Sequence, residues 1–203
     1  MVRGSFQRAV RAANIFELFS PAGLTLFDPS DGDPCAGPNP IFTQAQCANT
    51  GLDPAQYGST SLTNPAGQYN ILTGGNPDLD PEESDTYTIG AVFTPTFLDG
   101  LTVSLDYFSI EVEGYISTVP PETAINQCAQ SGDAFFCSLI NRGAGGTLWA
   151  SNTGYFIATN VNTGSLETTG FDLQANYSYD AGSAGVFGID YAGTYLDSLE
   201  VQS

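Results

Sequence analysis

The chain has no histidine and no lysine, and its four arginines face 22 acidic residues, for a formal net charge of -18. That imbalance repels phosphate backbones and sets nucleic acid aside as a partner. Without histidine, no Ser-His-Asp or Cys-His arrangement can form. Four cysteines with no C-x-x-C pair leave a zinc site without support, and no cofactor is implied. Charged residues make up only 13%, about half the ~25% usual in soluble domains. No run approaches the ~18 consecutive apolar residues of a membrane-spanning helix. There is one Trp and one Met.

What the chain does have is 23 Gly, ten Tyr and thirteen Phe in 203 residues. Low charge with abundant Tyr, Thr, Ser and Gly predicts β structure with one wet and one greasy face. Period-2 alternation locates five strands, at about 2–11, 84–95, 101–117, 156–180 and 186–200. In the second, Tyr87, Ile89, Ala91 and Phe93 oppose Thr86, Thr88, Gly90 and Val92. In the fourth, Phe171, Leu173, Ala175 and Tyr177 oppose Asp172, Gln174, Asn176 and Ser178. The third changes phase near Asp106–Phe108. Either a β-bulge there or a strand passing from one environment into another accounts for it. Asp106, Asp172 and Asp190 all fall in the polar phase, whereas Arg8 shares a phase with Phe6 and Val10.

Short and long connections alternate. "TPTFLDG" and "DAGSAG" are tight turns, whereas loops 12–83 and 118–155 are long. An up-and-down meander then carries its short turns at one end and its long loops at the other. That asymmetry, with apolar and polar faces alternating, characterises outer-membrane β-barrels. The expected fold is therefore all-β, an antiparallel up-and-down meander forming part of a transmembrane barrel with long extracellular loops. Tyr177, Tyr179, Phe187 and Tyr191 flank the turn at 180–185 and suit a periplasmic aromatic girdle.

Cys35, Cys47, Cys128 and Cys137 form two close pairs and suit disulfides in an oxidising compartment. Of the three possible pairings, Cys35–Cys47 and Cys128–Cys137 are preferred because each closes a short loop. Asp28, Asp31 and Asp33 in "DPSDGDPC" miss the EF-hand pattern, so a turn positioning Cys35 is the better reading than a calcium site. Glu111 and Glu113 share a strand face about 7 Å apart, a spacing that suits a glycosidase pair. A wet strand face is the favoured reading, and no enzyme is expected. "GAGG" (143–146) lacks the Lys-Ser/Thr ending of a phosphate loop. The aromatics Phe135, Phe136, Trp149, Tyr155 and Phe156 either contact ligand or pack their loop on itself.

Four stretches together resemble the barrel of TonB-dependent outer-membrane receptors: "VRGSFQRAVRAANIFELF", "GGNPDLDPEESDTYTIGAVF", "LTVSLDYFSIEVEGYI" and "LETTGFDLQANYSY". Gly75, Asn76, Pro77, Leu79, Pro81, Glu82, Asp106, Tyr107 and Gly170 carry the resemblance. In its light, Gly74 to Ser84 is the descent from a long loop to the barrel rim, where Pro77 and Pro81 interrupt the ladder. Such barrels have ~22 strands, and the chain shows no plug domain and no recognisable closing strand. The resemblance thus implies a segment of the C-terminal half of the barrel.

By resemblance, the function is part of an active transporter in the bacterial outer membrane, taking up a ferric siderophore, cobalamin or a glycan. Its partners would be outer-membrane lipid, that ligand and the TonB complex acting through a plug domain. The alternative is a soluble, disulfide-stapled extracellular β-sandwich acting as a binding or adhesion module, whose apolar face is buried against a second sheet.

Overall fold

A computed structural model describes residues 1–202 of the chain. Its elements run β1 (Val2–Arg11), α1 (Ile15–Phe19), β2 (Gly23–Phe27), α2 (Gln44–Asn49), β3 (Tyr69–Thr73), β4 (Glu82–Phe93) and β5 (Leu101–Glu113). They continue with β6 (Ile116–Ser117), α3 (Pro121–Ser131), α4 (Ala134–Ser138), β7 (Ile140–Asn141), β8 (Tyr155–Ile157), β9 (Val161–Asn162), β10 (Ser165–Asp180) and β11 (Val186–Gln202). The described residues divide into two compact units: residues 1–12, 80–115 and 162–202, and residues 13–79 and 116–161.

The first unit is a five-stranded sheet in the order β1-β4-β5-β10-β11. Every neighbouring pair is antiparallel, which is the meander the alternation predicts. With β1 and β11 at its two ends, the sheet does not close on itself. Cross-strand partners share a face, so the register assembles the apolar sets. Phe6 faces Tyr87, Ile89 faces Tyr107, and Tyr107 faces Phe171, which faces Tyr195. Toward the tight turn the same face carries Leu173, Ala175, Tyr177 and Tyr179, with Phe187, Ile189 and Tyr191 opposite. From Phe171 to Tyr179 is about 26 Å along a strand at ~3.3 Å per residue, comparable with the ~25 Å apolar band of outer-membrane barrels.

The phase change in β5 is not a bulge. β5 pairs without interruption to both β4 and β10 through Asp106–Phe108. Instead, the apolar set crosses to the other face: Phe108, Ile110 and Val112 are half-buried, while Glu111 and Glu113 are exposed. The one register shift against β10 falls on β11, where Gly170 pairs with Leu196 but Thr169 pairs with Ser198, leaving Asp197 as the extra residue. A Cβ at Gly170 would come within 2.6 Å of the Phe108 ring and 2.5 Å of the Tyr195 carbonyl oxygen. Glycine is what permits that close approach.

The strands also differ in extent from the alternation. β5 ends at Glu113, not at 117, and β4 runs from Glu82 to Phe93. The expected strand at 156–180 is broken, with regular pairing to β5 resuming only at Ser165. Asn162 explains part of the break. Its Nδ2 donates to the carbonyl oxygens of Asp80 and Gly114 (2.9 and 2.8 Å), and its Oδ1 accepts the Asp80 N–H (2.9 Å). A side chain thus satisfies backbone groups that a ladder would otherwise pair.

The second unit is built from the two regions expected to be long loops, and they are ordered. β2 and β3 pair antiparallel, β3 and β8 parallel, and β7 and β8 antiparallel, giving the order β2-β3-β8-β7. Capping boxes start two of its helices: Asn14 with Glu17 for α1, and Thr43 with Gln46 for α2. Each satisfies orphan N–H groups of a first turn. α3 starts with Pro121 and stops at Gly132 in the left-handed region, as helix termini favour. The core of this unit centres on Leu62, Tyr69 and Leu148, all essentially solvent-free. Disulfides join Cys35 to Cys47 and Cys128 to Cys137.

Candidate functional site

The five-stranded sheet separates its chemistry by face. On the polar face Arg3 donates through Nε and Nη2 to the Asp106 carboxylate (2.8 and 2.5 Å). Ser5 and Thr88 share a hydrogen bond of 2.6 Å, Thr194 donates to Asp172 at 2.6 Å, and Asn176 donates to Asp190 at 2.5 Å. These pairs satisfy polar groups across the ladder. Gly90 makes room for Asp106, which lies where a Cβ would stand. The opposite face is apolar and uncovered: Ile89 is 60% exposed and Ile189 is 68% exposed.

Arg8 does lie on the apolar face, one pairing step beyond Phe6 and Tyr87, whose rings are 4.9 Å apart. It donates to both carboxylate oxygens of Asp85 at 2.7 and 2.6 Å. Glu83, Glu111 and Glu113 line the same small hollow. The face therefore turns from rings to charges over a single step. Tyr107 and Phe171 continue the ring level, with centroids 5.2 Å apart. Glu111 and Glu113 belong to this wet outer strip. Glu82, on the polar face, is nearly buried and receives Arg11 at 2.6 and 2.8 Å.

In the second unit two of the motif stretches meet. Gly75 N–H donates to the Ser20 carbonyl oxygen (2.9 Å) and Asn76 N–H to that of Glu17 (2.8 Å). The Asn76 side chain donates to the Asn160 carbonyl oxygen (2.9 Å), while the Asn160 side chain donates to that of Glu17 (3.2 Å). A Cβ at Gly75 would fall 2.5 Å from the Leu18 backbone. Glycine and asparagine thus clasp the end of α1. Pro77 follows, and Asp78 N–H returns to the Asn76 side chain (3.0 Å) in an Asx turn. Leu79 and Pro81 complete the descent into β4.

Arg142 ties the core together. Its guanidinium donates to Asp33 through Nη1 and Nη2 (2.6 and 3.2 Å), to Thr50 Oγ1 (3.0 Å) and to the Gly146 carbonyl oxygen (2.8 Å). Asp33 also accepts the Cys35 N–H at 3.0 Å. The side chains of Arg142 and Asp33 are 3% and 0% exposed. Asp33 is thus committed to an arginine rather than joined to Asp28 and Asp31 around a cation. Among the described residues no group of three or more His, Cys, Asp or Glu is placed to hold a metal. Tyr69 Oη accepts the Asp33 N–H at 3.1 Å, and burial pushes its hydroxyl above the ordinary tyrosine pKa. Neither Arg142 nor its role was legible beforehand; the available signal was its being the one arginine or lysine after Arg11.

Beside this core lies a cleft of about 310 Å³. Asp31, Glu122, Asn126 and Gln130 form its polar wall, and Pro34, Ile41 and Phe42 its apolar one. Glu122 is held by the Ser30 N–H at 2.5 Å. Polar groups converging beside an apolar surface are what a ligand site requires. The loop aromatics mostly pack the unit on itself: Phe156 is buried, Phe136 and Trp149 pack against the core, and Trp149 Nε1 donates to the Leu62 carbonyl oxygen at 3.2 Å.

The family model described as TonB dependent receptor-like, beta-barrel, matches residues 1–202. The chain belongs to this family. TonB-dependent receptors are transporters of the bacterial outer membrane rather than enzymes, and the resemblance carried by the motifs is confirmed. No curated protein sequence matches. Among solved structures, the siderophore receptor PirA from Acinetobacter baumannii is similar at 16% identity and TM-score 0.51, covering 97% of this chain and 20% of that one. A ferric enterobactin receptor variant (PfeA) from Pseudomonas aeruginosa, in complex with enterobactin, is similar at 16% identity and TM-score 0.50, with the same coverages. These likenesses concern the fold. The chain spans about a fifth of the length of these receptors.

Proposed function

We propose that this chain forms part of the wall and the ligand-capturing loops of an outer-membrane active transporter. The solute is large and scarce, with ferric siderophores as the leading class and cobalamin or a glycan as the others. Lipid covers the apolar face of the sheet, and the TonB complex, acting through a plug domain, supplies the energy. The ordered second unit presents the ligand-capturing surface, including the cleft beside Glu122.

The observation carrying this reading is the uncovered apolar face. Ile89, Phe187, Ile189 and Tyr191 are each more than half exposed, and Phe171 and Leu173 are exposed by more than a third. A soluble β-sandwich needs these side chains in its core. Exposed contiguous apolar surface of this extent belongs to a protein whose solvent is hydrocarbon.

Topology tests the proposal. Thr60→Cys and Leu98→Cys replace exposed residues, one in the loop unit and one in the tight turn between β4 and β5. An impermeant thiol reagent added to intact cells producing the receptor should label the first and not the second. Labelling at 98 alone would invert the orientation. A cooperatively folded monomer in buffer without detergent would restore the sandwich.

A further inference from the structure

We infer that the cleft beside Glu122 admits cationic or neutral ligand groups and turns away polyanions. The inference deepens the transporter reading and rests on it.

The first support is a census of cations. The chain has four arginines, no lysine and no histidine. Arg3 is paired with Asp106, Arg8 with Asp85, Arg11 with Glu82 and Arg142 with Asp33, at contacts of 2.5 to 2.6 Å. Each guanidinium is already neutralised by a carboxylate, and the one in the loop unit is buried. Recognition of a polyanion relies on charge-assisted donors, and here they are spent inside the fold.

The second support is the cleft itself. Its wall carries the Asp31 and Glu122 carboxylates, and the Ser30 N–H fixes Glu122 in place. Asn126 and Gln130 add exposed amides, while Ile41 and Phe42 provide an apolar surface. An ammonium on a short apolar stem finds here both its counter-charge and a surface for the stem. Hydroxyls and amides of a neutral solute find partners in the two side-chain amides. A cleft lined by one sign of charge concentrates ligands of the opposite sign.

The experiment reads the charge preference without presupposing the ligand. The four native cysteines are held in disulfides, so Asn126→Cys adds a single free thiol to the cleft of the intact receptor on cells. Two methanethiosulfonates of similar size, one bearing trimethylammonium and one bearing sulfonate, are compared for labelling rate. Their ratio is referred to the same ratio on 2-mercaptoethanol. The cationic reagent should gain roughly tenfold over that reference, and Glu122→Gln with Asp31→Asn should remove most of the gain. Gln130→Cys repeats the measurement if the first variant fails to reach the surface. Equal rates, a faster sulfonate reagent, or a ratio unmoved by the two substitutions would overturn the inference.

A second arm separates this inference from the transporter reading. The same cells are offered radioiron as ferrioxamine B, which carries a free ammonium, and as the ferric enterobactin trianion. Receptor-dependent uptake of the trianion would overturn the inference. Receptor-dependent uptake of ferrioxamine B supports both claims. A cationic labelling preference with neither chelate taken up would leave charge selection standing and remove these two chelates as transported solutes.

Discussion

At the residue scale the decisive interaction of the loop unit is Arg142 with Asp33. Two fully desolvated charges are tolerated because each has further partners: Thr50 and Gly146 for the arginine, the Cys35 N–H for the aspartate. Removing one partner strands the other without water. Arg142→Ala should therefore cost the loop unit about 3–5 kcal/mol. Arg142→Ala with Asp33→Asn should recover part of this, because the stranded charge is gone. Denaturant titration followed by Trp149 fluorescence checks both, since Trp149 is bonded to Leu62 in the same core. Arg8 teaches a different lesson. Its phase in β1 is wrong for a lipid face, yet Asp85 neutralises it one step beyond the ring level, so its position along the strand matters more than its phase.

At the scale of elements, each long strand obeys its alternation until its surroundings change. In β5 the change comes at Tyr107. Below it the odd residues are apolar, and above it Glu111 and Glu113 occupy that face while Phe108, Ile110 and Val112 take the other. A periodicity argument sees the flip but not its cause, because a bulge and a change of solvent leave the same trace in one strand. Only the uninterrupted pairing to both neighbours excludes the bulge. The same two-faced logic yields a prediction. Ile189→Arg on the apolar face should lower folding stability in lipid vesicles by about 2–4 kcal/mol if the site lies near the bilayer midplane. Gln174→Arg on the polar face should change it far less. Urea titration of receptor folded into vesicles measures both, and equal losses would contradict the assignment of faces.

At the scale of the whole molecule, two units rest on different physics. The sheet holds its strands by a continuous ladder and leaves one apolar face uncovered. The loop unit has its own water-excluding core, closed by two disulfides of short span. Short-loop disulfides typically contribute about 2–4 kcal/mol. Reducing both should raise amide exchange at Leu62, Tyr69 and Leu148 while leaving Leu105 and Leu173 protected. Uniform loss of protection throughout the chain would show that the two units unfold as one.

The amino-acid sequence by itself determined the five long strands of the sheet in outline, their antiparallel order and the face of each residue within a regular run. Those properties follow from a period of two, from two turns too short to permit anything but a hairpin, and from the alternation of those turns with long loops. The paired motifs, read as a set, carried the family. What only the tertiary structure decided lies in the stretches between the strands. Asp33 and Arg142 are 109 residues apart, and no local pattern marks them as partners. The capping boxes at Asn14 and Thr43 were visible in principle, but five- and six-residue helices lack the repeats that reveal a periodicity. α1 buries none of its residues and is held by Gly75, Asn76 and Asn160 from distant parts of the chain, while α2 buries Cys47. Such helices, and the cleft between residues 30–42 and α3, exist only once distant segments have come together.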